Sequence, residues 1–284
     1  MAEDTYTHGH HPSVLRAHSW RTAENSAAYL LSSLTSTDRL LDVGCGPGTI
    51  TIGFAERVRE VVGIDAAAEP LTGATALAAE HGLHNVEFGV GDVYSLDFDD
   101  NSFDVVHAHQ VLQHLSDPVR ALREMARVAR PGGIVAVRDA DYSGMIWYPM
   151  PAELDEWMTL YQKVARSNSA EPDAGRRLLS WAKQAGFTDI VATADTWCYA
   201  SDEERAWWGG SWAERVVNSS FAKQAIERGF ADPAKLEELS RAWGDWAQSD
   251  DGWFAIVNGE VLCRVPDEPR SFGTGGAERT NLAK

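Results

Sequence analysis

Apolar positions along this chain follow two alternating periods. From Trp20 they return at three- and four-residue steps through Ala23, Ala27, Leu30, Leu31 and Leu34. That spacing predicts a helix burying one face, with Ser19 where an N-cap belongs. Residues 39–43, 60–65, 86–91, 103–109 and 134–138 are short apolar runs, the pattern of strands buried on both faces. Between them the period turns helical, over 49–58 and over the alanine-rich 69–80. Asp117-Pro118 opens a further helix, with an acid at the cap and proline in the first turn. Arg127 and Arg130 close it ahead of Pro131-Gly132-Gly133. Strands alternating with helices predict a parallel sheet covered on both faces.

The second half is less regular. Helices are expected over 151–164 and 178–185, the latter stopped by Gly186, with a polar stretch at 166–173 between them. Residues 190–199 read as a sixth strand, 201–249 as helical and rich in tryptophan, and 254–265 as a last strand. The expected fold class is therefore α/β, a doubly wound, mostly parallel seven-stranded sheet. An N-terminal cap (1–37) carries a helical lid and the first helix, and a ligand-binding core spans 38–200. A helical insertion (201–250) roofs the site between strands six and seven, 251–265 returns to the core, and 266–284 is a flexible tail.

At 284 residues the chain is long enough for one large domain. Lys and Arg number 25 against 42 Asp and Glu, a net charge of −17. Nucleic-acid backbones and anionic membrane surfaces are poor partners for such a chain. No apolar run is long enough to span a bilayer, and the polar start MAEDTYTHGHH is unlike a secretory signal. Cys45, Cys198 and Cys263 form no C-x-x-C pair, which points to a reduced, cytoplasmic setting.

The first strand runs into LLDVGCGPGTIT, where Gly44, Gly46 and Gly48 alternate behind Asp42. Bare backbone at such a turn lets a ligand approach closely. The dinucleotide fingerprint places its third glycine one residue later, where this chain has Thr49. The spacing argues against a nicotinamide-dependent oxidoreductase and leaves a different nucleoside-bearing cofactor, or a turn that merely joins strand to helix.

Ligands of open α/β sheets lie beyond the carboxyl ends of the strands. Each of the first four strands ends in a polar group there: Asp42, Asp65 with Ala66 behind it, Asp92, and His109-Gln110. A carboxylate at Asp65 suits two ribose hydroxyls. Asp92 and the Val93 amide suit an adenine edge, and the loop backbone with His109 suits a charged tail. Taken singly, each acid reads as a turn or cap residue.

In order and spacing, LDVGCGPG, VVGID, GVGD and SFDVVHAHQVLQHL resemble the class I S-adenosylmethionine-dependent methyltransferases. RPGG before the fifth strand and AGF before the sixth are common there as well. The likeness is close over 38–140 and loose over 175–200. It is nearest the broad small-molecule subgroup that includes the ubiquinone and menaquinone C-methyltransferases, although the middle and C-terminal segments do not resemble the quinone enzymes closely. The resemblance implies S-adenosylmethionine as cofactor and assigns Asp65, Asp92, Val93 and His109 to its contact. It also implies a small-molecule methyl acceptor.

Methyl transfer from a sulfonium is an in-line displacement that needs alignment more than a base. Candidates on the acceptor side are His114, Asp139 and Asp141, the last two expected on a loop after the fifth strand. Tyr142, Trp147 and Tyr148 are expected as apolar walls, and so are one or two of Trp207, Trp208, Trp212, Trp243 and Trp246. His8, His10, His11 and His18 lack a companion ligand at metal spacing, so no metal is expected. Residues 1–18 are expected to fold over the cofactor, with Tyr6, His10 or His11 and Trp20-Arg21-Thr22 near the site. A non-catalytic protein that binds the same cofactor stands as the alternative to an enzyme.

Overall fold

The computed structural model describes Thr7 and residues 20–267. Its seven strands are β1 (Arg39–Val43), β2 (Glu60–Asp65), β3 (Val86–Val90), β4 (Phe103–His109), β5 (Ala129–Tyr148), β6 (Asp189–Tyr199) and β7 (Trp253–Arg264). They form one sheet in the order β3-β2-β1-β4-β5-β7-β6. Strands β1 to β5 pair in parallel, and β7 runs antiparallel to β5 and β6. The order reverses between β1 and β4, so the chains leaving those strands diverge at the rim and open a crevice.

The helices are α1 (Ala23–Ser26), α2 (Ala28–Leu31), α3 (Thr49–Ala55), α4 (Glu69–Glu80), α5 (Pro118–Val128), α6 (Ala152–Ser167), α7 (Leu178–Ala185), α8 (Asp202–Asn218), α9 (Ser220–Glu227) and α10 (Pro233–Ala247). Strand alternation decides which face each covers. Leu40, Val61 and Val105 pack with Phe54 of α3 and Leu30 of α2. Their sequence neighbours Leu41, Val62 and Val106 point the other way, into Leu122 and Met125 of α5 and Trp181 of α7. Each such side chain taken from water contributes roughly 1.5–3 kcal/mol.

Local chemistry sets the ends. Asp117 accepts the Arg120 amide at 3.0 Å, with Pro118 in the first turn of α5. Ser201 and Glu204 cap α8 reciprocally, and Gly186 ends α7 at φ 109°. The helices α8 to α10, all between β6 and β7, build a second core with α6. It stacks Trp157, Tyr161, Trp212, Phe221 and Trp243 against Phe254 of β7.

Two expected elements are corrected. The single N-terminal helix is two short ones. Thr22 and Asn25 form a capping box at the start of α1, and Ala27 breaks the run at φ −138°. The fifth strand, expected over 134–138, extends from Ala129 to Tyr148. Gly132 and Gly133 pair with the Val265 backbone, and antiparallel register with β7 continues from Ile134–Arg264 to Tyr148–Trp253 across one irregularity. A long partner strand thus supplies backbone bonds past both glycines and acids. Asp139, Asp141 and Tyr142 consequently lie inside β5, not on a loop.

Of the expected lid only Thr7 is described. It is buried, and its hydroxyl accepts a 3.0 Å bond from Asn168. Tyr6, the four histidines and Ser19 lie outside the described residues, as does the expected tail from residue 268. Among the described residues no helix is long and apolar enough to cross a membrane.

Candidate active site

The glycine loop is built from beneath. Asp42, at the end of β1, is 2 % exposed. Its Oδ2 accepts from Thr51 Oγ1 at 2.6 Å, and its Oδ1 lies 2.8 Å from His107 Nδ1. One buried carboxylate thereby joins β1, β4 and α3 under the loop. Sequence reading missed His107 and Thr51. The available signal was a histidine inside an otherwise apolar strand.

Above this anchor Gly44 has φ +69°, and a Cβ there would stand 2.3 Å from Val111 Cγ2. Glycine is required by backbone angle and by space alike. At Gly46 (φ +52°) a Cβ would meet nothing within 4 Å, so the loop tip faces open volume. The Gly46 amide donates to Asp65 Oδ2 at 3.0 Å, and the Ala67 amide to Asp65 Oδ1 at 3.0 Å. The carboxylate at the end of β2 is thus fixed beside the loop.

A cleft of about 1480 Å³, counted out to its solvent mouth, opens here. Asp42, Gly44, Cys45, Gly46, Asp65 and Ala66 line one side. His109, Gln110, Val111, Gln113 and His114, following β4, line its middle. Its far side is Ala140, Tyr142 and Met145 of β5, Trp197 and Tyr199 of β6, Trp208 and Arg215 of α8, Ile256 of β7, and Arg21. The structure thus gathers eight of the residues selected as cofactor or catalytic candidates around one space: Asp42, Gly44, Gly46, Asp65, Ala66, His109, Gln110 and His114.

Others stand off it. Gly48 (φ +80°) is the N-cap of α3, where a Cβ would press on Ala74 Cβ at 2.9 Å. Asp92, just past β3, accepts the Tyr94 amide at 2.8 Å, and Val93 packs into the core. Ala140 and Tyr142 line the cleft, whereas Asp139 and Asp141, alternating with them, do not. Asp141 is held by Arg176, whose Nε and Nη2 donate at 2.6 and 2.5 Å. Asp139 Oδ1 accepts the Gln113 amide at 3.1 Å. Burial pushes the Asp139 carboxyl up to about 8, and its Oδ2 has no hydrogen-bond partner among the described residues.

His114 lies 3.0 Å from Gln113 Nε2 through its Nε2. Burial, then the charge of Arg21, lowers its pKa to about 3, so the imidazole is neutral at physiological pH. Gln110 sits at φ 54°, its amide bonded to the Arg138 carbonyl at 2.7 Å and its Oε1 accepting from Arg21 at 2.5 Å. Of the expected tryptophans only Trp208 lines the cleft. Trp212, Trp243 and Trp246 are core. Trp197, Tyr199 and Arg215 were not anticipated as a wall, whereas Arg21, expected near the site, lines the cleft.

The profile of a methyltransferase domain matches residues 34–195. An uncharacterized methyltransferase of Schizosaccharomyces pombe is 40% identical over 269 residues, covering 90% of this chain and 95% of the relative. The chain is a class I S-adenosylmethionine-dependent methyltransferase. Solved methyltransferase-fold structures agree with the architecture. The YcgJ protein of Bacillus subtilis superposes with a TM-score of 0.58 at 21% identity, over 86% of this chain and 100% of its own. A Haemonchus contortus phosphoethanolamine N-methyltransferase bound to S-adenosylhomocysteine superposes with a TM-score of 0.53 at 19% identity, over 84% and 52%. The cofactor of this methyltransferase is S-adenosylmethionine. The site fits it. An open backbone face at Gly46 lies beside a fixed carboxylate, a donor set suited to a nucleoside carrying two ribose hydroxyls.

Proposed function

We propose that this methyltransferase alkylates a small molecule with an apolar or ring surface, at a carbon, oxygen or nitrogen atom. One observation carries the reading: a single cleft joins the glycine loop to a wall of rings, Tyr142, Trp197, Tyr199 and Trp208. Concave ring-lined space retains compact ligands, and a net charge of −17 opposes phosphate backbones. Three thiols with no disulfide among them suit a reducing, cytoplasmic compartment.

In this reading Asp65 takes the ribose hydroxyls, while Asp92 and the Val93 amide take the adenine edge. Backbone at Gly44 and Gly46, held up by Asp42, encloses the remainder with Ala66, His109 and Gln110. Gly48 starts α3 tightly enough to keep that loop closed. When bound, the cofactor supplies a methyl group already activated on a sulfonium. The protein's share is alignment and exclusion of water. Neutral His114 orients the acceptor by hydrogen bonding. Asp139 is a positioning residue acting through Gln113, and Asp141 braces β5 through Arg176.

The test is to incubate the enzyme with cell extract and S-adenosylmethionine labelled in its methyl group, then separate the products by size. Label in filterable small molecules, in a compound bearing an apolar ring or chain, is expected. Label confined to protein or nucleic acid would overturn the reading.

A further inference from the structure

Among the described residues three buried side-chain oxygens have no hydrogen-bond partner: Tyr29 Oη, Gln113 Oε1 and Asp139 Oδ2. Of these residues only Gln113 lines the cleft. Leaving such a group unpaired costs a folded chain free energy, and native structures keep few of them. A donor brought in by a ligand would remove that cost.

The local structure fixes where this oxygen stands. Gln113 lies in a short 3₁₀ turn, Leu112–His114, that follows β4. Its amide donates to Asp139 Oδ1 at 3.1 Å, and its carbonyl accepts from the Glu171 amide at 3.0 Å. The turn is therefore tied down through both backbone groups of one residue. The Gln113 side-chain Nε2 lies 3.0 Å from His114 Nε2. A carboxamide nitrogen donates and does not accept. The imidazole must therefore accept there and carry its own proton on Nδ1. That needs a neutral ring, and burial above all keeps His114 neutral at physiological pH. With the amide nitrogen turned to the imidazole, Oε1 is the polar atom of Gln113 left over. The residue is buried, so bulk water does not solvate that atom.

We propose that Gln113 determines specificity: its Oε1 accepts a hydrogen bond from an N–H or O–H of the methyl acceptor, so the enzyme selects ring molecules that carry such a donor over isosteres that lack it. This rests on the small-molecule reading above. An amide oxygen does not take up the proton, so the part of Gln113 is to select and hold, leaving transfer to alignment. The discrimination is one-sided. A ligand without the donor leaves Oε1 buried and unpaired, and that penalty is what rejects it.

Indole and benzofuran test this, because they match closely in shape and differ in N–H against ring oxygen. They are titrated into enzyme saturated with S-adenosylhomocysteine and followed by ligand NMR. Indole is expected to bind about tenfold or more tighter than benzofuran. Gln113→Met keeps an unbranched side chain of similar length and removes the acceptor, so the preference should fall to about twofold or less. Calorimetry should find S-adenosylhomocysteine affinity in Gln113→Met within about twofold of wild type. Nitrogen NMR of His114 in wild type gives a check that needs no variant, with Nδ1 expected protonated and Nε2 not. A protonated Nε2 would reverse the amide, leave its NH2 over in place of the oxygen, and overturn the proposal. So would equal binding of indole and benzofuran, or an unchanged preference in Gln113→Met. Binding of neither probe by enzyme that takes up S-adenosylhomocysteine would overturn it together with the small-molecule reading, whereas equal binding of both leaves that reading standing.

Discussion

The two sides of the cleft are made in different ways. The loop side is backbone and short polar side chains at strand ends, with Gly44 pressed on Val111 and Asp65 fixed by two amides. The far side is rings and long side chains from four elements, backed by a tryptophan core in which Trp157 packs against Trp212 and Trp243 with centroids 4.5 and 4.8 Å away. The first arrangement tolerates almost no change in shape at Gly44. The second is a packing solution, and packing admits many solutions of similar volume.

If the two sides are separable, damage should be separable too. Trp157→Ala removes the hub of the second core and should cost about 3–5 kcal/mol of stability. Urea unfolding would measure this. At low temperature the surviving folded fraction should bind S-adenosylhomocysteine nearly as wild type does, and parallel loss of both would break the comparison. Asp65→Ala reverses the pattern. Calorimetry should show S-adenosylhomocysteine binding weakened by about 2–3 kcal/mol, with a much smaller change in thermal midpoint. Gly46→Ala sharpens it further. The positive φ costs about 1 kcal/mol of stability, while the added methyl occupies the open face of the loop, so affinity should fall more than stability does.

A pH-dependent effect sits where the sides meet. Burial raises Asp139 to about 8 from an ordinary 3.8, so the native state keeps a proton that the unfolded chain releases. The Asp139 contribution to stability should therefore decline as pH rises from about 4 to about 8, and level off above that. Asp139→Asn, similar in size and unable to ionise, should show a flatter urea midpoint across the window. His114 works from the opposite end. Its pKa falls from 6.5 to about 3, so its contribution is lost as pH falls between those values and offsets the gain at Asp139, and His114→Gln should lose less than wild type.

Legibility in the sequence followed the same division. Strands β1, β2 and β4 and helices α4 and α7 lie where the pattern put them, because burial on both faces writes unbroken apolar runs and Gly186 marks its stop. The polar strand ends were readable since one residue, at one position, defines each. β5 was not readable at full length. Its identity as a strand comes from β7, a partner distant in the chain, and Pro131, Gly132, Asp139 and Asp141 locally resemble a loop. The ring wall was hidden for a related reason. The packing of Trp197 and Trp208 depends on which faces meet, and nothing local separates Trp208, which lines the cleft, from Trp212, which does not.

The pairing of Tyr199 with Phe254 has a practical consequence. The last residue of β6 and the second of β7 are neighbours across the sheet, so helices α8 to α10 leave and re-enter the fold at one doorway. They form an insertion whose two ends meet. Grafting a different helical segment between those two positions would alter the roof while β1 to β4 stay untouched, a route by which one alkylating chassis can be fitted to new acceptors.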